Sequence, residues 1–311
     1  MNTLLFPGQG SQIVGMGNEF YKNFDAVKKI FKEADDKLSF SISKMILEGP
    51  EDQLTLTQNT QPAILTVSFS IFKVLKDEFN FNLNSVKYFA GHSLGEYSAL
   101  VSSNALDFKD ALYLLHERGK AMQEAVPVGH GSMIAVLGAK LDELKKLIND
   151  SISGVCEIAN DNAEGQVIIS GETNSVNSFQ IILKEKKIKS IPLKVSAPFH
   201  CSLMKPAAEK MVNKIKNINF KKPSFKVVSN VTASEESDPE NIKELLVKQI
   251  FSTVRWRESI MNINKSGSIN FIEIGPGKVL TGMVKRTVKD VNCFSINSIA
   301  DIKNLVNGLK R

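Results

Sequence analysis

The sequence predicts an α/β fold in which a large subdomain on a parallel sheet receives a small α+β subdomain as an insertion. Three observations carry this. In residues 1–127 short apolar runs alternate with stretches of helical spacing, the pattern of a parallel sheet flanked by helices. At Gly91-His92-Ser93-Leu94-Gly95 a strand turns sharply into a helix. Between 128 and 196 the order changes to β-α-β-β-α-β.

Taken in order, the first strand (Thr3 to Phe6) enters a Gly-rich loop from Pro7 to Gly17. A buried helix from Pro62 to Phe79 leads into the strand Val86 to Ala90, the elbow and its helix. Asp107 to Gln123 follows as a helix, because Ala111, Leu112, Leu114 and Leu115 repeat at helical spacing. The register changes at Pro127-Val128-Gly129. Ser132 to Leu137 is a strand and Leu141 to Ile152 a helix. Val155 to Asn160 and Gln166 to Ser170 form a hairpin around Asn162-Ala163-Glu164-Gly165. Ser175 to Lys186 is a helix and Ile188 to Val195 a last strand, completing a ferredoxin-like small subdomain at 128–196. The large subdomain, 1–127 and 197–311, resumes through Pro198 and a helix from Cys201 to Asn217. It continues with the strand Phe225 to Val231, the acidic loop Ser234 to Glu240 and a helix from Pro239 to Phe251. The strand Asn270 to Ile274 and a terminal βα segment finish it.

Composition narrows the function. With 42% hydrophobic and 23% charged residues, the 311-residue chain can bury a large core. The start of the sequence has no basic n-region and breaks at Pro7 and Gly8, unlike a signal peptide. The longest apolar stretch, Ala63 to Leu75, is broken by Lys73 and too short for a bilayer, so no membrane is expected. Cys156, Cys201 and Cys293 lie far apart without metal-ligand spacing, which fits no metal and a reducing cytoplasm. The net charge of +6 is scattered and carries no nucleic-acid motif; a solvated basic surface or an acidic protein partner is expected.

The five-residue G-x-S-x-G pattern in its strand–turn–helix setting reads as a nucleophile elbow and makes the large subdomain α/β-hydrolase-like. The glycines allow a strained serine turn, and the following helix offers unpaired N–H groups to an oxyanion on Ser93. A chance turn is the plain alternative. A serine needs a base. Of His92, His116, His130 and His200, only His200 lies where a strand ends and the chain re-enters the large subdomain. His92 should point away from Ser93. Cys201 is expected as a small buried hydrophobe. The loop Phe6-Pro7-Gly8-Gln9-Gly10-Ser11-Gln12 lacks the phosphate-loop lysine, and is either a second oxyanion donor or a structural turn. Arg118, beside Gly119, would bind a substrate carboxylate through both guanidinium nitrogens if it faces the pocket, and is otherwise a surface arginine.

These motifs together resemble the malonyl-CoA:acyl carrier protein transacylases of bacterial type II fatty acid synthesis over nearly the whole chain. The likeness includes Phe6 to Gln12, Gly91 to Glu96, Arg118-Gly119 with Met122-Gln123, and Gly165 to Gly171. Pro198-Phe199-His200 and Glu273 to Leu280 complete it. The resemblance implies Ser93 as nucleophile, His200 as base and Arg118 as anchor for the malonyl carboxylate. It further implies an oxyanion hole from the N–H groups of Gln9 and Leu94, and a backbone carbonyl at Gln249 behind the histidine. Met122, Phe199 and Asn160 are implied as further substrate-pocket residues, Phe199 disfavouring α-branched acyl groups. Where the family often carries Asn-Pro-Val-x-Trp, this chain reads Ser252-Thr253-Val254-Arg255-Trp256. No cofactor is implied beyond the substrates malonyl-CoA and phosphopantetheinylated acyl carrier protein. That acidic carrier should dock on the basic segments around Lys285 and Arg286 and around Lys189. Two rival readings are a serine esterase or thioesterase with Asp161 as the third catalytic group, and a carrier-docking subunit with a vestigial elbow.

Overall fold

The computed structural model describes residues 1–195 and 197–308. Among these residues ten strands form two sheets: β1 (Asn2–Phe6), β2 (Val86–Gly91), β3 (Gly131–Leu137), β4 (Cys156–Ala163), β5 (Gln166–Glu172), β6 (Lys189–Pro192), β7 (Lys226–Val228), β8 (Glu235–Glu236), β9 (Asn270–Ile274) and β10 (Asn292–Ile296). The first sheet has the order β10-β9-β1-β2-β7-β8 and is parallel except at β8. Leu4, Leu5 and Phe6 of β1 are fully buried because helices cover both faces, which explains the unbroken apolar run. Since β1 and β2 are parallel neighbours, their carboxyl ends meet. His92 N–H donates to the Phe6 carbonyl at 3.0 Å, tying the elbow to the Gly-rich loop. Crevices beyond such strand ends are where α/β proteins bind ligands.

The second sheet, β4-β5-β3-β6, is antiparallel and lies within the segment expected for the small subdomain. Helices Leu141–Ser151 and Thr173–Glu185 pack on it through Leu144, Val176, Phe179 and Leu183, in the ferredoxin-like order. The expected boundary residue Ser196 and the last residues, 309–311, lie outside the described residues.

Several elements differ from expectation for identifiable reasons. The buried helix spans Thr57–Asp77, so Pro62 sits inside it rather than at its start. Proline has no N–H for the Gln58 carbonyl. His116 Nδ1 approaches that carbonyl at 2.9 Å and supplies the missing donor. Helix Phe108–Glu124 is held against this one so closely that a β-carbon on Gly119 would overlap the Gln58 backbone. Glycine therefore fixes where the neighbouring Arg118 enters the core.

Strand β4 keeps Asn160 as expected but continues to Ala163, so Asp161 and Asn162 lie on a strand and not in the hairpin loop. Its outer edge is paired: Val254 N–H donates to the Ala159 carbonyl at 2.9 Å and Asp161 N–H to the Val254 carbonyl at 3.0 Å. The strand expected at 225–231 shortens to β7, because Ala233 N–H closes a turn onto the Ser229 carbonyl. The helix expected from Cys201 begins at Lys205 after a short 3₁₀ turn, and the helix expected to reach Phe251 ends at Gln249. Helix Trp256–Lys265 has no counterpart in the sequence reading.

Candidate active site

Strand β2 delivers Ser93 to the end of the first sheet in a left-handed conformation, φ 54°. Such a backbone in a non-glycine residue costs roughly 1–3 kcal/mol and needs support. Two features give it. A β-carbon on Gly91 would overlap the Gly95 carbonyl, so only glycine permits the crossing. Ser93 N–H donates to Asn230 Oδ1 at 2.7 Å. The helix Gly95–Ser102 then opens with Gly95, Glu96 and Tyr97 N–H groups bonded back to the His92, Ser93 and Leu94 carbonyls. The N–H groups of Leu94 and Gln9 donate to no acceptor among the described residues. Both residues line the cavity beside Ser93.

His200, also left-handed at φ 58°, brings Nε2 to 2.8 Å from Ser93 Oγ. Its Nδ1 lies 2.8 Å from the backbone carbonyl of Gln249. A carbonyl only accepts, so Nδ1 carries the proton and Nε2 is free to accept the serine hydroxyl. Burial, and then the Arg118 charge, pull His200 down to about 3 from the ordinary 6.5.

Gln249 closes helix Pro239–Gln249 and is wholly buried. Its Oε1 accepts from Arg118 Nη2 at 2.9 Å, and its Nε2 donates to the Ser93 carbonyl at 3.1 Å and to Glu96 Oε2 at 2.8 Å. Arg118, 1% exposed, also donates from Nη1 to Gln61 Oε1 at 2.6 Å and from Nη2 to Ser93 Oγ at 3.2 Å. It is a buried guanidinium aimed at the reactive hydroxyl, not a surface arginine.

A cavity of about 420 Å³ opens over Ser93 between the two sheets. Arg118, Met122, Phe199, His200 and Asn160 line it, together with Met133 of β3 and Ile168 of β5. Val279, Leu280 and Met283 of helix Val279–Thr287 form a further wall. Lys285 and Arg286 are exposed on that same helix. Lys189, on edge strand β6, is exposed but borders a separate groove with Lys184 and Lys187.

The other histidines go elsewhere. His92 points Nε2 at Asn162 Oδ1, 2.8 Å away, and packs its ring on Trp256. His130 lies exposed at the Pro127 turn. Cys201 is buried, donates to the Pro198 carbonyl, and has its thiol pushed up to about 11, as expected of a packing residue. Asp161 is corrected: it lies on β4 and receives Arg257 Nε at 2.9 and 3.0 Å, while the His200 position it was to fill is taken by Gln249. The esterase triad is thereby not favoured.

Sequence reasoning missed Gln61, Asn230 and the role of Glu96. Glu96 was visible in the elbow motif. Gln61 and Asn230 meet Arg118 and Ser93 only through tertiary packing, and no local pattern marks them.

Residues 3–307 match the family described as acyl transferase domain. A malonyl CoA-acyl carrier protein transacylase of Bacillus subtilis (strain 168) is 43% identical over 310 residues, covering 98% of this chain and 96% of the relative. The crystal structure of an acyl-carrier-protein-S-malonyltransferase from Bartonella henselae superimposes with a TM-score of 0.95 at 42% identity, covering 100% of this chain and 99% of that one. A type II PKS acyl-carrier protein in complex with its malonyl-transacylase provides another neighbour, with a TM-score of 0.95 at 38% identity and 99% of both chains covered.

The His200 environment sets a pH test. A folded-state value below the unfolded one means that protonation favours unfolding. The stabilising contribution of neutral His200 is present above about 6.5 and is lost as pH falls toward 3. Histidine nitrogen NMR of the free protein should show Nδ1 protonated and Nε2 bare throughout the mildly acidic range. An imidazolium at His200 forming near pH 6.5 would contradict this.

Proposed function

The chain belongs to the acyl transferase domain family, and from that premise we propose that it moves a malonyl group from malonyl-CoA to the phosphopantetheine thiol of acyl carrier protein through an ester on Ser93. One observation carries the reading: a single hydroxyl, Ser93 Oγ, lies 2.8 Å from a neutral imidazole and 3.2 Å from a buried guanidinium. The first is what a serine nucleophile needs, and the second is what an acyl group ending in a carboxylate needs.

In the forward half-reaction His200 Nε2 takes the Ser93 proton as Oγ attacks the thioester carbonyl. The developing oxyanion meets the N–H groups of Gln9 and Leu94. Collapse expels the CoA thiolate, which takes the proton from His200. The carrier's thiol then repeats the sequence on the malonyl-serine ester, giving malonyl carrier protein for fatty acid elongation. Arg118 holds the malonyl carboxylate throughout. Met122 and Phe199 form the apolar wall, and Phe199 narrows the space for α-branched acyl groups; Asn160 faces the same cavity from β4. The carbonyl of Gln249 orients His200 without adding a negative charge. The thioester supplies the activation, so the scheme requires no resident cofactor, and its substrates place it in the cytoplasm. No helix among the described residues is long and apolar enough to cross a membrane. The subdomains, 1–127 with 197–311 and 128–196, contribute opposite walls.

Mass measurement of the intact protein after mixing with malonyl-CoA should show one added malonyl unit, absent in Ser93→Ala. Arg118→Ala should slow malonyl loading by about 2–5 kcal/mol of lost pairing, roughly 30- to several-thousand-fold, and acetyl loading far less. An undiminished adduct in Ser93→Ala, or equal losses on both acyl groups, defeats the corresponding role.

Carrier docking is assigned to Lys285 and Arg286, on the helix that walls the cavity, with Lys189 on the small subdomain as a secondary contact. Replacing Lys285 and Arg286 by Glu should raise the KM for carrier protein and flatten its salt dependence, leaving self-acylation by malonyl-CoA unchanged. A parallel loss in both half-reactions would remove these residues from the docking surface.

A further inference from the structure

The transfer scheme leaves the buried carboxyl beside the elbow without a task. Glu96, on the helix that follows the elbow, is 3% exposed. Its Oε2 accepts from Asn230 N–H at 3.0 Å and from Gln249 Nε2 at 2.8 Å. The same amide turns its Oε1 to Arg118 Nη2 at 2.9 Å. One glutamine side chain thus stands between a buried carboxyl and a buried guanidinium, its dipole aligned with both. The hydrogen bonds of Arg118 go to neutral oxygens, those of Gln61, Ser93 and Gln249, and its Nε is buried without a hydrogen-bond partner. Glu96, one amide away, attracts that guanidinium electrostatically.

We propose that Glu96 is the exchangeable counter-charge of Arg118. It balances the guanidinium in the free protein and takes up a proton when the acyl carboxylate of the substrate pairs with Arg118. The inference rests on the malonyl-transfer reading above.

The physical ground is charge bookkeeping in a desolvated pocket. Arg118 does not give up its proton. A substrate carboxylate beside it supplies a full counter-charge, so an ionised Glu96 would then be an excess buried anion. Buried carboxylates without compensation take a proton instead. The other titratable groups around the elbow cannot absorb the change. Tyr97, on its own helix, is pushed up to about 12 by burial and is already neutral. His92, across the elbow, is lowered by burial, and His200, beyond Gln249, sits at about 3. Asn230 and Gln249, from the two segments packed against it, do not titrate.

Glu96 is also poised to exchange. Burial raises it to about 7 from 4.5, while the Asn230 N–H, the Gln249 amide and the Arg118 charge hold it from rising further. Pairing Arg118 with a substrate carboxylate weakens the Arg118 attraction and adds a like charge nearby. Both effects move Glu96 upward, so uptake is greatest above pH 7 and fades below it, where the free protein is already protonated.

Titration calorimetry of Ser93→Ala, which binds without transferring, tests this with malonyl-CoA and acetyl-CoA in two buffers of different ionisation enthalpy. Above pH 7, malonyl-CoA should take up about one proton more than acetyl-CoA, an excess that shrinks as pH falls. Adding Glu96→Gln, which keeps the shape and both accepted hydrogen bonds, should abolish the excess while malonyl-CoA still binds. Infrared difference spectra with Glu96 intact should gain a carboxylic-acid C=O band on malonyl-CoA binding and not on acetyl-CoA binding. Equal uptake for the two thioesters, an excess that survives Glu96→Gln, or no such band overturns the assignment of Glu96 and leaves the transfer reading standing. Failure of malonyl-CoA to bind at all brings down both.

Discussion

Gln249 has no exposed surface, and the atoms that could leave a buried polar group unmet are all engaged. Its backbone carbonyl accepts from His200, its Oε1 accepts from Arg118, and its Nε2 is shared between the Ser93 carbonyl and Glu96. Ser93, His200 and Arg118 are therefore placed relative to one residue at the end of one helix, rather than each to its own support. Leaving a buried donor or acceptor unmet costs about 1–3 kcal/mol, and more for a charged partner, so the set stands or falls together. A neutral amide suits this position. A carboxylate there would make His200 more basic but would also pair with Arg118. The consequence is an imidazole held only by a carbonyl, and a guanidinium bonded only to neutral oxygens, as the proposed roles require.

The same residue couples the two sheets. The segment directly after Gln249 pairs with the outer edge of β4, through Val254 with Ala159 and Asp161, and through the Thr253 hydroxyl to the Ile158 carbonyl at 2.6 Å. Arg257 then clamps Asp161. The second sheet is therefore registered against the helix end that holds His200, and Asn160 reaches the cavity from a strand so anchored. This explains how a pocket assembled from two sheets keeps a 2.8 Å contact between Ser93 and His200.

Legibility in the sequence followed the range of the forces involved. Strand β9 and the elbow could be read because local apolar runs and paired glycines report local geometry. Arg118 was legible only as a choice between pocket and surface, since its burial is decided by Gly119 packing on Gln58. Pro62 misled because the donor that completes its helix comes from His116, on another helix. The extra residues of β4 were hidden because their pairing partner lies ninety-odd positions further on, about as far as Asp161 from Arg257. Gln61, Asn230 and Glu96 act through hydrogen bonds across the core, and polar residues in a helix or turn carry no periodic mark of such a task.

The proposed covalent ester on Ser93 would make each half-reaction independent of the other, and this is measurable without any carrier protein. Isotopically labelled free CoA, mixed with unlabelled malonyl-CoA and the protein alone, should become incorporated into malonyl-CoA, because the malonyl-serine returns its acyl group to whichever CoA thiol attacks it. The exchange should disappear in Ser93→Ala. Label that enters malonyl-CoA only once acyl carrier protein is added would contradict the account, since it would mean direct transfer between two bound thiols with no acyl-enzyme between them.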